Sequence, residues 1–119
     1  MQRDMDLIRK ILLALEADAQ GWGDPNLSIE GYTDEQVGYN CWLIVDAGLA
    51  IGEDINADQR FGWWAQRLTW AGHEFLDAAR DTPRWNKAKS IILDKAGGVS
   101  FELLKQLLLQ LARQAVFGG

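Results

Sequence analysis

Thr33 is followed three residues later by Gln36, with Asp34 and Glu35 between them. This is the pattern of a capping box, in which the Thr hydroxyl accepts from the N–H of residue 36 and the Gln side chain reaches back to the N–H of residue 33. The two acids lie against the positive end of the helix dipole. The spacing predicts a helix over 33–47, closed by Gly48, a residue suited to the left-handed position past a helix end.

The rest of the chain reads outward from that helix. Met5, Ile8, Leu12, Leu15 and Ala19 recur three and four residues apart, which predicts a helix over 4–19. Gly21, Gly23, Asp24 and Pro25 interrupt it, and Leu27-Ser28-Ile29 alternates in the manner of a brief strand. After Gly48, residues 49–55 and 61–68 read as two strands joined by a turn at Asn56 to Arg60, a wing over 49–68. Thr69 can cap a helix over 69–81 with Phe75, Leu76 and Ala79 inward. Asp81-Thr82-Pro83 stops it, a second helix follows with Trp85, Ala88, Ile91 and Ile92, and Gly97-Gly98 precedes a last one capped by Ser100 and running to about Phe117.

This order predicts a mainly α fold with a small β-hairpin: a winged-helix-type domain with two additional C-terminal helices. Residues 1–81 form the winged-helix-like core. Residues 82–119 form a helical extension, either part of the same compact domain or a dimerisation element. A separate second helix is not evident in Leu27 to Tyr32. With 119 residues, 48% of them hydrophobic, the chain can fill one ordinary core and not two.

The lone Cys41 has no disulfide partner, and with the lone His73 it makes no Cys/His zinc site, so neither metal nor cofactor is expected. The first ten residues interleave acids and bases, unlike a signal peptide, and no apolar run approaches membrane-spanning length. A cytoplasmic protein with no membrane contact is expected.

The segment Asp46-Ala47-Gly48-Leu49, followed by Arg67-Leu68-Thr69-Trp70-Ala71-Gly72-His73-Glu74-Phe75-Leu76, resembles the wing boundaries of winged-helix regulators of the PadR and MarR types. Four segments together, Met1 to Glu16, Gly31 to Leu49, Arg67 to Lys89 and Gly97 to Leu108, resemble the prophage-associated family catalogued as domain of unknown function twenty-five thirteen. That resemblance implies a small protein carried by phages and mobile elements, with no catalytic residues to transfer. It also implies a His after the Tyr of the central helix, where this chain has Tyr39-Asn40.

The net charge is −5, unevenly spread. Residues 11–59 carry ten acids and no base, while residues 60–119 carry nine bases and five acids. At 100° per residue, Val37, Cys41, Ile44 and Gly48 face one side of the central helix, and Glu35, Tyr39, Trp42 and Asp46 the other. A groove-reading helix uses Arg, Lys, Asn or Gln and is flanked by bases that neutralise phosphates. This outer face has none, and reads either as a solvated face or as a protein contact.

Nucleic-acid contact falls instead to Arg60, Trp63 and Arg67 on the wing and to Arg80, Arg84, Lys87 and Lys89 around Pro83. Packing is the more ordinary role of strand aromatics such as those of the wing, and a solvated helix face explains the second basic group. On the last helix, Phe101, Leu104, Leu108 and Leu111 form an apolar stripe broad enough for a homodimer, or for wrapping across the first helix.

Catalytic readings find no support: His73 and Cys41 are distant in sequence, and Glu53 and Asp54, adjacent on a strand, point to opposite faces. Two functions are expected from different classes. The first is a non-enzymatic interaction module binding a protein, as adaptor, inhibitor or nucleic-acid mimic. The second is a DNA-binding transcriptional regulator.

Overall fold

A computed structural model describes residues 1–55, 62–96 and 100–118. The expected turn at Asn56 to Arg60, Phe61 and Gly97-Gly98 lie outside them. Five helices and one antiparallel hairpin follow in the order α1 (Met5–Ala17), α2 (Asp34–Asp46), β1 (Ala50–Asp54), β2 (Trp63–Leu68), α3 (Trp70–Ala79), α4 (Thr82–Ala96) and α5 (Phe101–Phe117). The fold is mainly α with a small β-hairpin. The chain forms two compact units, Met1–Glu74 and Phe75–Gly119.

In the first unit, Asp4 caps α1 through its carboxylate, which accepts from the Leu7 N–H at 3.1 Å. Met5, Leu7, Ile8, Ile11, Leu12 and Leu15 are all buried, a wider stripe than the spacing indicated, because α1 packs on both α2 and β2. The helix ends at Ala17, where Asp18 turns extended and its carboxylate accepts from the N–H groups of Gln20 (3.2 Å) and Gly23 (2.7 Å). Those bonds hold a tight loop in which Gly23 has φ +71° and lies so close to β2 that a Cβ would overlap the Ala65 carbonyl.

Leu27 to Ile29 form no strand, contrary to the expectation from their alternation. The N–H of Leu27 donates to the Asp24 carbonyl and that of Tyr32 to the Ile29 carbonyl, so two turns take up backbone groups that a strand would need a neighbour to satisfy.

The capping box forms: the Thr33 hydroxyl accepts from the Gln36 N–H at 3.1 Å, and the Thr33 N–H donates to Gln36 Oε1 at 2.9 Å. At the other end Gly48 has φ +77°, its N–H donating to Val45 O, while Leu49 N–H donates to Ile44 O. This Schellman closure turns the chain directly into β1.

The hairpin pairs Ala50 with Leu68, Ile51 with Arg67, Gly52 with Ala65, Glu53 with Trp64 and Asp54 with Trp63. Gln66 has no partner, which makes it a bulge. Ala65 and Leu68, three apart, are therefore both buried while Arg67 is exposed.

Thr69 joins the hairpin to α3. Its N–H donates to Leu49 O, its hydroxyl donates to Gly48 O at 2.6 Å, and the same oxygen accepts from the Gly72 N–H. A Cβ at Gly72 would overlap the Leu49 carbonyl, so the Leu-Thr-x-x-Gly stretch is a close backbone contact that only glycine fits.

In the second unit Phe75 packs against Phe101 at 5.0 Å between ring centroids and edge-on against Trp85 at 6.4 Å. Leu76, Ala79, Ala88, Ile92, Leu104 and Leu108 complete the core. The α3 helix stops at Ala79, two residues before the expected end. Asp81 caps α4 by accepting from the Arg84 N–H at 2.8 Å, and Pro83 sits in that first turn, where its missing N–H leaves no bond unmade. Among the described residues no helix is long and apolar enough to cross a membrane.

Candidate functional site

On α2, Glu35, Tyr39, Trp42 and Asp46 fall within about 60° of one another at 100° per residue, over about 17 Å of helix. The structure brings them into one stripe. Glu35 and Asp46 are exposed, with no ion pair among the described residues. Between them the half-buried rings of Tyr39 and Trp42 meet at 5.6 Å, tilted by 56°. The first turn holds Asp34 and Glu35, where the dipole favours acids; the last holds no base and one acid, Asp46, at the end where the dipole disfavours acids.

The opposite face anchors the helix through Val37, Cys41 and Ile44, as their spacing indicated, and through Asn40, which only the structure identifies. Asn40 is 1% exposed. Its Oδ1 accepts from the Asp4 N–H at 3.0 Å and its Nδ2 donates to the Gln36 carbonyl at 2.9 Å, tying the start of α1 to α2. An amide accepts and donates at once, so the residue standing where the resemblance implied His has a structural task here. Burial pushes the Cys41 thiol up to about 11, which keeps it protonated and unreactive at neutral pH.

The residues assigned to nucleic acid are divided between the two units. Arg60 lies outside the described residues. Plain alternation would align Trp63 with Arg67, but the bulge at Gln66 puts them on opposite hairpin faces; Trp63 and Trp64 are half-buried, and Arg67 is exposed. The Trp64 indole N–H is buried and has no partner among the described residues.

In the second unit Arg80 pairs with Asp77 at 2.7 Å, and Lys89 lies over the Trp85 ring at 5.8 Å. Arg84 and Lys87 share one side of α4, and Lys89 is turned about 140° away from Arg84.

The stripe assigned to a homodimer is consumed by the chain itself. Leu104 and Leu108 are 0% exposed, packed under α4, and Phe101 lies on Phe75. Leu111 is half-buried, so the exposed apolar residues of α5 are others: Leu103, Leu109, Val116 and Phe117. A Leu stripe has the same spacing whether a neighbouring helix or a second copy covers it.

His73 is exposed on α3 and Cys41 is buried under α2, so they form no nucleophile pair. Among the described residues no three His, Cys, Asp or Glu side chains gather where a metal could bind.

Sequence reasoning missed Trp70, which is 80% exposed at the first position of α3. The signal was present: Phe75, five residues on, faces inward, which turns Trp70 about 140° away from the core. The charge asymmetry also coincides with the two units. Met1–Glu74 carries thirteen acids and five bases, for −8, and Phe75–Gly119 carries four acids and seven bases, for +3.

No solved structure matches the chain. An uncharacterised protein of Haemophilus influenzae is 37% identical over 109 residues, which cover 90% of this chain and 92% of that protein. A family model described as "Hypothetical protein (DUF2513)" matches residues 2–99, and with this match over most of its length the chain belongs to the DUF2513 family.

Proposed function

We propose that this chain is a non-enzymatic, cytoplasmic interaction module of phage or mobile-element type. It binds a protein partner through the outer face of α2, as an adaptor, an inhibitor or a mimic of nucleic acid. The observation that carries this reading is the stripe itself: an aromatic pair between two exposed acids, on a helix capped at both ends. Aromatics with a polar rim are what protein interfaces use. The order of helix, helix, hairpin and helix supports a winged-helix-type core in which α2 holds the recognition position while its charge turns it away from phosphates.

The test is capture from host lysate by the whole chain, with partners identified by mass spectrometry. Trp42→Ala combined with Asp46→Lys is expected to abolish capture of a partner that the unaltered chain retains. Retention of every partner overturns the reading.

A DNA-binding regulator is the second reading, favoured by the +3 second unit and by exposed Arg67 on the hairpin. It requires duplex binding that strengthens as salt is lowered, and no binding at low salt ends it.

A further inference from the structure

We infer that the partner reaches this face with arginine, and that the site continues past the end of α2 onto Trp70. The inference rests on the protein-binding reading of α2 and adds the chemistry of the occupant.

Three observations converge on the C-terminal end of α2. Asp46 stands in the last turn, against the negative end of the helix dipole, with no base in that turn. A cation placed there satisfies carboxylate and dipole together. The Thr69 hydroxyl donates to the Gly48 carbonyl at 2.6 Å, which fixes the start of α3 against Gly48, two residues past Asp46. The residue that follows is Trp70, 80% exposed. An indole left this open on a pinned backbone offers its face to a ligand, and a planar guanidinium can stack on it while pairing with a carboxylate. Lysine, a compact ammonium, matches the charge but not the stacking.

The unit around this site carries −8, which repels acidic partners and draws basic ones. Asp34 and Glu35 supply a second anionic point about 17 Å away at the other end of α2. In an extended strand that distance spans about five residues. The fitting partner therefore carries two arginines about five residues apart along an extended segment, with apolar groups between them for Tyr39 and Trp42.

The test uses the whole chain and three labelled twelve-residue peptides with two Arg, two Lys or two Glu five residues apart, titrated by fluorescence anisotropy at several salt concentrations. The Arg peptide is expected to bind at least threefold tighter than the Lys peptide, to weaken as salt rises, and to leave the Glu peptide unbound. Trp70→Ala and Asp46→Asn are each expected to weaken it about fivefold. Glu30→Gln removes the same charge from an exposed loop of the same unit and is expected to change binding less than twofold.

Equal affinity for Arg and Lys peptides, an unchanged Trp70→Ala, or equal losses in Asp46→Asn and Glu30→Gln overturns the inference. Far-UV circular dichroism confirms that each variant is folded. If lysate capture depends on Trp42 and Asp46 while the Arg peptide fails, this inference falls and the protein-binding reading stands.

Discussion

Two helices of this molecule present a surplus face in sequence, and they dispose of it in opposite ways. On α5 the stripe is leucine, and the fold covers its centre: Leu104 and Leu108 are buried against α4 within the same unit, while Leu103 and Leu109 stay exposed. On α2 the surplus is acid and aromatic, and the fold leaves it out: Glu35 and Asp46 stay in solvent around the half-buried Tyr39 and Trp42. Apolar surface gains free energy wherever it leaves water, so the nearest covering element claims it first. A carboxylate gains nothing from burial without a partner, so a face built around acids survives folding intact.

The largest expected effect tests the α5 half of this contrast. Leu108→Ala removes a fully buried side chain and is expected to cost about 2–5 kcal/mol, read from chemical denaturation. The unfolding midpoint should not depend on protein concentration, because the residue's neighbours belong to its own chain. A midpoint that rises with concentration would return Leu108 to a dimer interface and break the contrast.

The next effect concerns what holds α2 in place behind its exposed face. Asn40→Ala leaves the half-buried Asp4 N–H without its acceptor and the Gln36 carbonyl without its side-chain donor, at a cost of about 1–3 kcal/mol. Thr33→Ala removes the hydroxyl half of the capping box and should cost about 1 kcal/mol. A larger loss from Thr33→Ala than from Asn40→Ala would mean that local capping, rather than the bond to α1, orients the stripe.

Those two residues also mark how far the sequence could be read. Thr33 with Gln36, Gly48, and Thr69 with Gly72 were legible because caps and left-handed turns depend on residues three or four apart. The outward stripe of α2 was legible for the same reason. Asn40 was not, since its partner lies 36 residues away and nothing in a polar side chain announces burial. The bulge at Gln66 left no mark either, so nothing in the spacing showed that Trp63 and Arg67, both assigned to nucleic acid, lie on opposite faces. Leu27 to Ile29 alternate like a strand, but a strand is made by its neighbour, and among the described residues there is none. The α5 stripe had the right residues and an undecidable destination, because the element that covers it is set by tertiary packing.

The smallest expected effects compare an acid that the fold uses with one that it does not. The Asp18 carboxylate accepts backbone N–H bonds, first from Gly23 and then from Gln20, and these hold its pKa below the ordinary 3.8. A depressed carboxylate pKa adds stability that is present above the unfolded value and lost as pH falls through the folded one. The melting temperature of Asp18→Asn should therefore lie below that of the unaltered chain at pH 7, with the gap closing as pH drops beneath 3.8.

Asp46 should behave in the opposite sense. Relieving an acid at the negative end of α2 through Asp46→Asn is expected to stabilise the chain by a few tenths of a kcal/mol at pH 7. A substitution that stabilises the fold while weakening partner binding separates the two kinds of acid: Asp18 is retained for the loop it closes, and Asp46 is retained against the interest of its own helix. If Asp46→Asn destabilises the chain as Asp18→Asn does, then Asp46 serves the fold after all, and the exposed stripe loses the residue that most distinguishes it from an ordinary solvated face.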